Sequence, residues 1–206
     1  MKPIKIIGLT GQTGAGKSTV SKTLSSRNIA VIDCDLVARE VVDNEKELLA
    51  DLAIEYGIGI LNQDGTLNRR KLGSIVFADR EKLNRLNEII FPYITRNINK
   101  KVTSLRKRGV PMVVLDAPTL FESGIDKECD AIISVIAPEE LRLNRIMVRD
   151  HLSDTEARNR IASQHNEAFF IENSSHVIVN NQDMEHLYFE SLRVADELVA
   201  SIDEQA

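Results

Sequence analysis

Gly11-Gln12-Thr13-Gly14-Ala15-Gly16-Lys17-Ser18 fits the spacing G-x-x-x-x-G-K-[ST]. Glycines let the backbone curl until successive N–H groups point into one concavity, which suits phosphate oxygens. A helix opening at that point adds the positive end of its dipole. Lys17 then reaches β- and γ-phosphates, and the Ser18 hydroxyl is placed to ligate Mg²⁺. The pattern has odds of about 1% of arising by chance over this length. It also stands between an apolar run, Ile4 to Leu9, and a stretch of helical periodicity, the context a phosphate-binding loop needs.

Two carboxylates could complete such a site. Asp116 closes the apolar run Met112-Val113-Val114-Leu115. It reads either as a Walker-B-like acid near Mg²⁺ or as an Asp capping the next turn. Asp33 ends a second β-branched run, Ile29 to Ile32, at the strand edge where open α/β sheets bind ligands. There it could orient an acceptor hydroxyl and take its proton, or organise Mg²⁺ through water. Asp35 follows two residues on, and a helix N-cap role suits Asp35 better than Asp33. Arg142, Arg145 and Arg149 are spaced i, i+3, i+7 and share one helix face, either a lid over phosphates or a solvated surface. Arg96, Lys100, Lys101, Arg106, Lys107 and Arg108 lie in a stretch with no acid between Glu88 and Asp116. An anionic ligand is one reading of it, and a basic solvated face is the more ordinary one. The GTPase patterns D-x-x-G and N-K-x-D are missing, as are H-R-D and D-F-G. Phosphoryl transfer to a small molecule is the expected chemistry.

The elements that must position these residues are short. Strands are expected at 4–9, 29–33, 112–115, 131–136 and 177–179, apolar enough for a parallel sheet covered on both faces. A helix is expected over Lys17 to Ser26, with Val20 and Leu24 on one face. Leu48, Leu49, Leu52 and Ala53 form another stripe, stopped by Gly57 and Gly59, and Asn62-Gln63-Asp64-Gly65 is a turn. Asp79 can cap a helix to about Ile90, with Pro92 opening the next, whose Ile94, Ile98, Val102 and Leu105 face inward. Pro138-Glu139-Glu140 opens a further helix, and Ser153 with Glu156 forms a capping box. Leu192, Ala195, Leu198, Val199 and Ile202 stripe a C-terminal helix. The helical stretch between the second and third strands exceeds a plain crossover and is expected to be an inserted lobe.

Composition closes other classes. The 206 residues suit one domain with a core that needs no disulfide or metal. With 26 basic and 31 acidic residues the net charge is −5, which argues against a nucleic-acid binder. No apolar run approaches the roughly 18 residues of a membrane span, and Ile6-Ile7-Gly8-Leu9 is too short for a signal peptide. Cys34 and Cys129 form no CxxC, and the four His show no HExxH spacing, so a reduced, cytoplasmic compartment is the default.

Several blocks, in order, carry a more specific signal. They are Leu9 to Val20; Val31-Ile32-Asp33-Cys34-Asp35-Leu36-Val37-Ala38-Arg39; Asp64-Gly65-Thr66-Leu67-Asn68-Arg69; Leu115-Asp116-Ala117-Pro118-Thr119-Leu120-Phe121-Glu122; and Arg145, Arg149-Asp150 and Arg160-Ile161-Ala162-Ser163-Gln164. Together they resemble the dephospho-CoA kinase family over almost the whole chain. The resemblance implies a P-loop NTPase-type α/β fold: a parallel five-stranded sheet flanked by helices, with a helical acceptor-binding insertion and a helical lid. In that scheme one domain spans 1–206, with core 1–34, 110–140 and 175–206, acceptor lobe 35–109 and lid 141–174. It implies ATP-dependent phosphorylation of the ribose 3′-hydroxyl of dephospho-CoA, the last step of coenzyme A biosynthesis. Asp33 would be the base, with Lys17 and Arg145 as further catalytic groups. Gly11, Gly14, Ala15, Gly16, Lys17, Ser18, Thr19 and Gln164 would hold ATP. Asp33, Arg39, Arg69 and Asp116 would serve the acceptor. Ser18 would hold Mg²⁺, with Asp33 or Asp116 acting through water. No nucleic acid, membrane or obligate protein partner is expected. Phe91-Pro92 stands where the family often has His-Pro, Thr119 where Leu is usual, and Cys34 where Ala is common. Cys34 reads as a small buried residue or as a thiol beside the acids. A nucleoside kinase and an ATP-dependent switch protein are the rival readings. The block Asp33 to Arg39 and the long insertion weigh against the first, and the missing GTPase motifs with a candidate base weigh against the second.

Overall fold

The structure, a computed structural model, describes residues 4–203, without the side chains of 202 and 203. Ile202 on the expected C-terminal stripe therefore falls outside the described side chains, and the expected core ranges 1–34 and 175–206 reach beyond the described residues. The chain divides into two compact units, one of residues 1–32 with 105–206 and one of residues 33–104.

The first unit is built on a sheet of β1 (Lys5–Gly11), β2 (Ala30–Asp33), β3 (Met112–Asp116), β4 (Ala131–Ile136) and β5 (His176–Val179), in the order β2-β3-β1-β4-β5. β1 runs parallel to both β3 and β4, with Leu9 opposite Asp116 and Gly11 opposite Val135, and β4 runs parallel to β5. Ile7, Leu9, Val113, Val114, Ile133 and Val135 are fully buried, which explains why these strands read as unbroken apolar runs. α1 (Lys17–Ser26) and α9 (Met184–Asp203) complete the main core, where Val20, Leu24, Leu187, Val194, Ala195 and Leu198 join Leu9, Val114 and Val135. α6 (Glu139–Asp150) and α7 (Asp154–Ala162) share a smaller cluster of Leu143, Ile146 and Ala157, and α8 (Glu167–Glu172) follows. Ser153 and Glu156 form the expected capping box at the start of α7.

β1 is two residues longer than its apolar run. Thr10 and Gly11 still pair with Ser134 and Val135 on β4, and buried Thr10 donates its hydroxyl to the Pro118 carbonyl at 3.3 Å. The ladder, not hydrophobicity, sets where the strand ends.

The second unit is helical: α2 (Cys34–Asn44), α3 (Lys46–Tyr56), α4 (Arg69–Val76) and most of α5 (Arg80–Lys107). Leu48 and Leu52 are fully buried on α3, which stops at Gly57 with φ 85°. The expected break at Pro92 does not occur, because α5 runs through it. Proline there removes one intrahelical hydrogen bond and crowds the preceding turn, at a cost of about 3 kcal/mol. The carbonyl it strands belongs to exposed Glu88, which water can reach. Buried Ile98 and Val102 continue one stripe beyond it, and Tyr93 donates its hydroxyl to Asp51 at 2.6 Å, so packing outweighs the local defect. The basic character of α5 is partly neutralised within this unit. Arg96 lies 3.3 Å from Glu45 and 3.7 Å from Glu47, and Lys101 lies 3.0 Å from Glu40. Arg96 and Lys101 thus lie on a solvated, ion-paired face.

Candidate active site

The glycine-rich turn leaves β1 at Gly11 and enters α1 at Lys17. Gly16, the N-cap of α1, has φ 106°, and a Cβ there would lie 2.6 Å from Asn180 Nδ2. Gly14 has φ 78°, and its Cβ would lie 2.9 Å from the Arg142 carbonyl. Both positions therefore require glycine on conformation and on space. The turn is anchored by two side chains whose role the sequence did not show, Asn180 from beneath and Gln12 from within the turn. Asn180, just past β5 and buried, donates to the Ala15 carbonyl at 2.7 Å, while its own N–H bonds the Ile136 carbonyl at 2.8 Å. Gln12, also buried, donates its N–H to the Val135 carbonyl at 3.0 Å and accepts from the Ala137 N–H at 3.3 Å. A polar residue placed directly after a buried strand was the available signal for Asn180.

Lys17 opens α1, and its ammonium is bonded to the carboxylate of Asp116, the last residue of β3. Both side chains are largely withdrawn from water, at 20% and 13% exposure. The first turn of α1 carries no acid, so Asp116 supplies the local negative charge. Ser18 is exposed in that same turn, and Thr19 donates its N–H to the Gly16 carbonyl at 2.9 Å.

Two residues of the expected lid touch the loop. Gln164 Oε1 accepts the Thr13 N–H at 2.7 Å, and Arg145 Nη1 donates to the Gly14 carbonyl at 3.3 Å. The segment bearing Gln164 is fixed by rings. His165 stacks on Phe169 at 3.8 Å, Phe169 meets Phe121 edge-on at 5.0 Å, and His165 Nε2 lies 3.8 Å from Glu122. The Phe121-Glu122 pair after β3 thus anchors the segment that reaches the loop.

The other two arginines of the expected face have other partners. Arg149 holds its neighbour Asp150 through two bonds of 2.7 Å, and Arg160 adds a third at 2.6 Å. These bonds keep the Asp150 carboxyl below its usual range. Arg142 is buried, with Nε–H on the Ala137 carbonyl at 2.9 Å, and desolvation pushes its guanidinium pKa down against the fields of Glu139 and Glu167. Helical spacing gave a shared face, but residue 142 falls on the part of it that packs inward.

Asp33, Arg39 and Arg69 belong to the 33–104 unit. Asp33 ends β2 and is itself the N-cap of α2, accepting the Leu36 N–H on Oδ1 at 2.9 Å. The expectation that Asp35 would be the better cap is corrected, because α2 starts at Cys34 with no intervening loop. Asp33 is exposed, and one cap bond leaves its second oxygen free of that duty. Arg39 is exposed on α2, and Arg69, at the start of α4, pairs with Asp43 at 2.7 Å. Cys34 is buried, in keeping with a small packing residue.

A lysine and a hydroxyl at the mouth of a glycine turn, seated on the carboxyl ends of parallel strands, define a P-loop fold of the small-molecule kinase type. Solved structures agree. A Thermus thermophilus protein, TT1252, superposes with TM-score 0.81 at 32% identity, covering 97% of this chain and 98% of its own. The dephospho-CoA kinase of Campylobacter jejuni gives 0.71 at 27% identity, covering 94% and 96%. A Bacteroides thetaiotaomicron shikimate kinase shares the fold alone, at 0.53 and 14% identity. In sequence, the Fusobacterium nucleatum dephospho-CoA kinase is 40% identical over 185 residues, 90% of this chain and 94% of that one. The Carboxydothermus hydrogenoformans dephospho-CoA kinase is 42% identical over 164 residues, 80% of each chain. The family model for dephospho-CoA kinase matches residues 5–186. The chain belongs to the dephospho-CoA kinase family. No described helix is long and apolar enough to cross a membrane.

Proposed function

We propose that this chain transfers the γ-phosphoryl group of ATP to the ribose 3′-hydroxyl of dephospho-CoA, giving coenzyme A and ADP. The observation that carries the reading is the Lys17–Asp116 pair at the glycine turn of a member of this family. An ammonium held by one carboxylate is poised to exchange that partner for phosphate oxygens, which carry more charge. The N–H groups of the loop and the start of α1 cradle the phosphates, and Lys17 and Arg145 draw off charge as the phosphoryl group moves. Asp33 orients the acceptor hydroxyl and takes its proton. Arg39 and Arg69 serve the acceptor's anionic groups, and Gln164 exchanges its bond to Thr13 for the nucleotide. Residues 35–109 act as the acceptor lobe and 141–174 as the lid that excludes water.

The donors present suit magnesium. Ser18 offers an exposed hydroxyl beside Lys17, and Asp116 offers carboxylate oxygens one bond from that lysine, an all-oxygen set for a hard cation. Ser18 would hold the ion, with Asp116 or Asp33 acting through water. Bound there, it would neutralise charge on the β- and γ-phosphates. The site of action is the cytoplasm, and no macromolecular partner is required.

The test is the mass of the product formed from Mg²⁺-ATP and dephospho-CoA, with nucleosides as competing acceptors. One added phosphate on dephospho-CoA, and none on the nucleosides, is the expected result. Phosphorylated nucleoside with untouched dephospho-CoA overturns the acceptor.

A further inference from the structure

Arg142 is 5% exposed, and the chemistry above gives it no role. Burying a guanidinium is costly, and an aliphatic side chain would fill the same space more cheaply. Its contacts explain what it does instead. α6 begins at Pro138 with no side-chain cap, so the turn from β4 into α6 lacks the usual fastening. Arg142 Nε–H supplies one by closing on the Ala137 carbonyl at 2.9 Å, and its backbone N–H closes on the Pro138 carbonyl at 3.1 Å. Ala137 is 1% exposed, so that carbonyl must be satisfied from within the protein.

The fastened turn is what the phosphate loop rests on. The Ala137 N–H donates to Gln12 Oε1 at 3.3 Å. A Cβ on Gly14 would lie 2.9 Å from the Arg142 carbonyl and 3.2 Å from its Cα, so the loop backbone lies directly against this residue. Arg145, one turn on, bonds the Gly14 carbonyl. Two loop residues two positions apart, Gln12 and Gly14, thus take their seating from the segment that Arg142 closes.

We infer that Arg142 is a positioning residue for nucleotide binding: its Nε–H fixes the Ala137–Arg142 turn on which Gln12 and Gly14 hold the phosphate loop in its binding shape. The inference rests on reading that loop as the ATP site. A seat of this kind acts on how well the loop N–H groups converge on phosphate, and leaves the acceptor side alone.

The experiment measures ATP affinity by titration calorimetry, with KM for ATP and for dephospho-CoA, in wild type, Arg142→Met and Arg142→Gln. Met keeps the bulk and loses the donor, whereas Gln keeps an N–H donor without the charge. Arg142→Met is expected to bind ATP about tenfold more weakly, with a matching rise in KM for ATP and little change in KM for dephospho-CoA. Arg142→Gln is expected to stay within about threefold of wild type. ATP affinity in Arg142→Met equal to wild type overturns the inference. Equal losses in both variants do so too, since the donor would then be irrelevant. If Arg142→Met gives no cooperative melt, Arg142→Lys takes its place. Lys keeps the charge but cannot present a planar N–H at the Nε position, so unchanged ATP affinity in it counts against the inference. Wild-type protein that binds ATP yet leaves dephospho-CoA unmodified sinks the proposed acceptor and leaves the Arg142 comparison standing.

Discussion

The Lys17 ammonium at the start of α1 is bonded to the Asp116 carboxylate at the end of β3, in a ladder that sets Asp116 level with Leu9 of β1. That register brings the end of β3 beside the start of the glycine turn, so the lysine that follows the turn folds back onto the acid that ends the strand. The pair compensates two charges that would otherwise be poorly solvated. In the proposed reaction it is also an exchangeable contact, with incoming phosphates competing with Asp116 for the ammonium. Lys17→Ala is expected to lower kcat by about 10²–10³-fold while the protein stays folded. A variant with near-normal kcat in steady-state assays removes Lys17 from charge stabilisation.

Asp33 caps α2 through one oxygen and is proposed to use the carboxylate on an acceptor hydroxyl. Asn can still cap a helix but cannot take a proton. Asp33→Asn is therefore expected to keep its melting temperature and lose about 10²–10⁴ in kcat. Asp33→Ala should lose both, the cap contributing about 1 kcal/mol. Thermal melts alongside turnover separate the two roles, and an active Asp33→Asn enzyme dismisses the base.

Gln164 holds the Thr13 N–H while the aromatic stack of His165, Phe169 and Phe121 holds the Gln164 segment. Phe169→Ala is expected to loosen that segment, raising KM for ATP severalfold. Hydrogen exchange should then speed up over residues 163–172. Unchanged exchange there would show that the ring stack does not anchor the segment.

Burial, then the fields of Asp126, Asp130 and Glu128, pushes the Cys129 thiol from its ordinary 9.0 to about 12. Folding keeps the proton on sulfur. The stabilisation is thus present below pH 9.0 and drains away as the pH climbs from 9.0 toward 12. Native protein at pH 8 should leave Cys129 unlabelled by iodoacetamide, because the thiolate is the reactive form. Cys34, which is buried, should also resist until the protein is denatured. Rapid labelling of either under native conditions contradicts this, and mass spectrometry reads it directly.

The parts of the fold that were legible in the sequence are those decided locally. The loop glycines, the five apolar strands and the Ser153–Glu156 box each announce their geometry over a few residues. What was not legible depends on contacts distant in sequence. Pro92 reads as a helix start, yet tertiary packing around Ile98 and Val102 carries α5 through it. Helical spacing put Arg142 on a face with Arg145 and could not tell that α6 turns that residue inward. Gln12 filled an unspecified position of the loop motif and Asn180 looked like an ordinary polar residue until the sheet brought Ala137 against the first and Ala15 against the second. Asp33 was separable from Asp35 as the cap only by knowing that α2 starts without a connecting loop.

The most direct test of the central claim is a coupled ADP-release assay on full-length protein with Mg²⁺-ATP, run with and without dephospho-CoA, on a preparation shown by calorimetry to bind ATP. ADP release that depends on dephospho-CoA and is lost in Lys17→Ala is the expected result. Folded, ATP-binding protein whose ADP release ignores dephospho-CoA would contradict it.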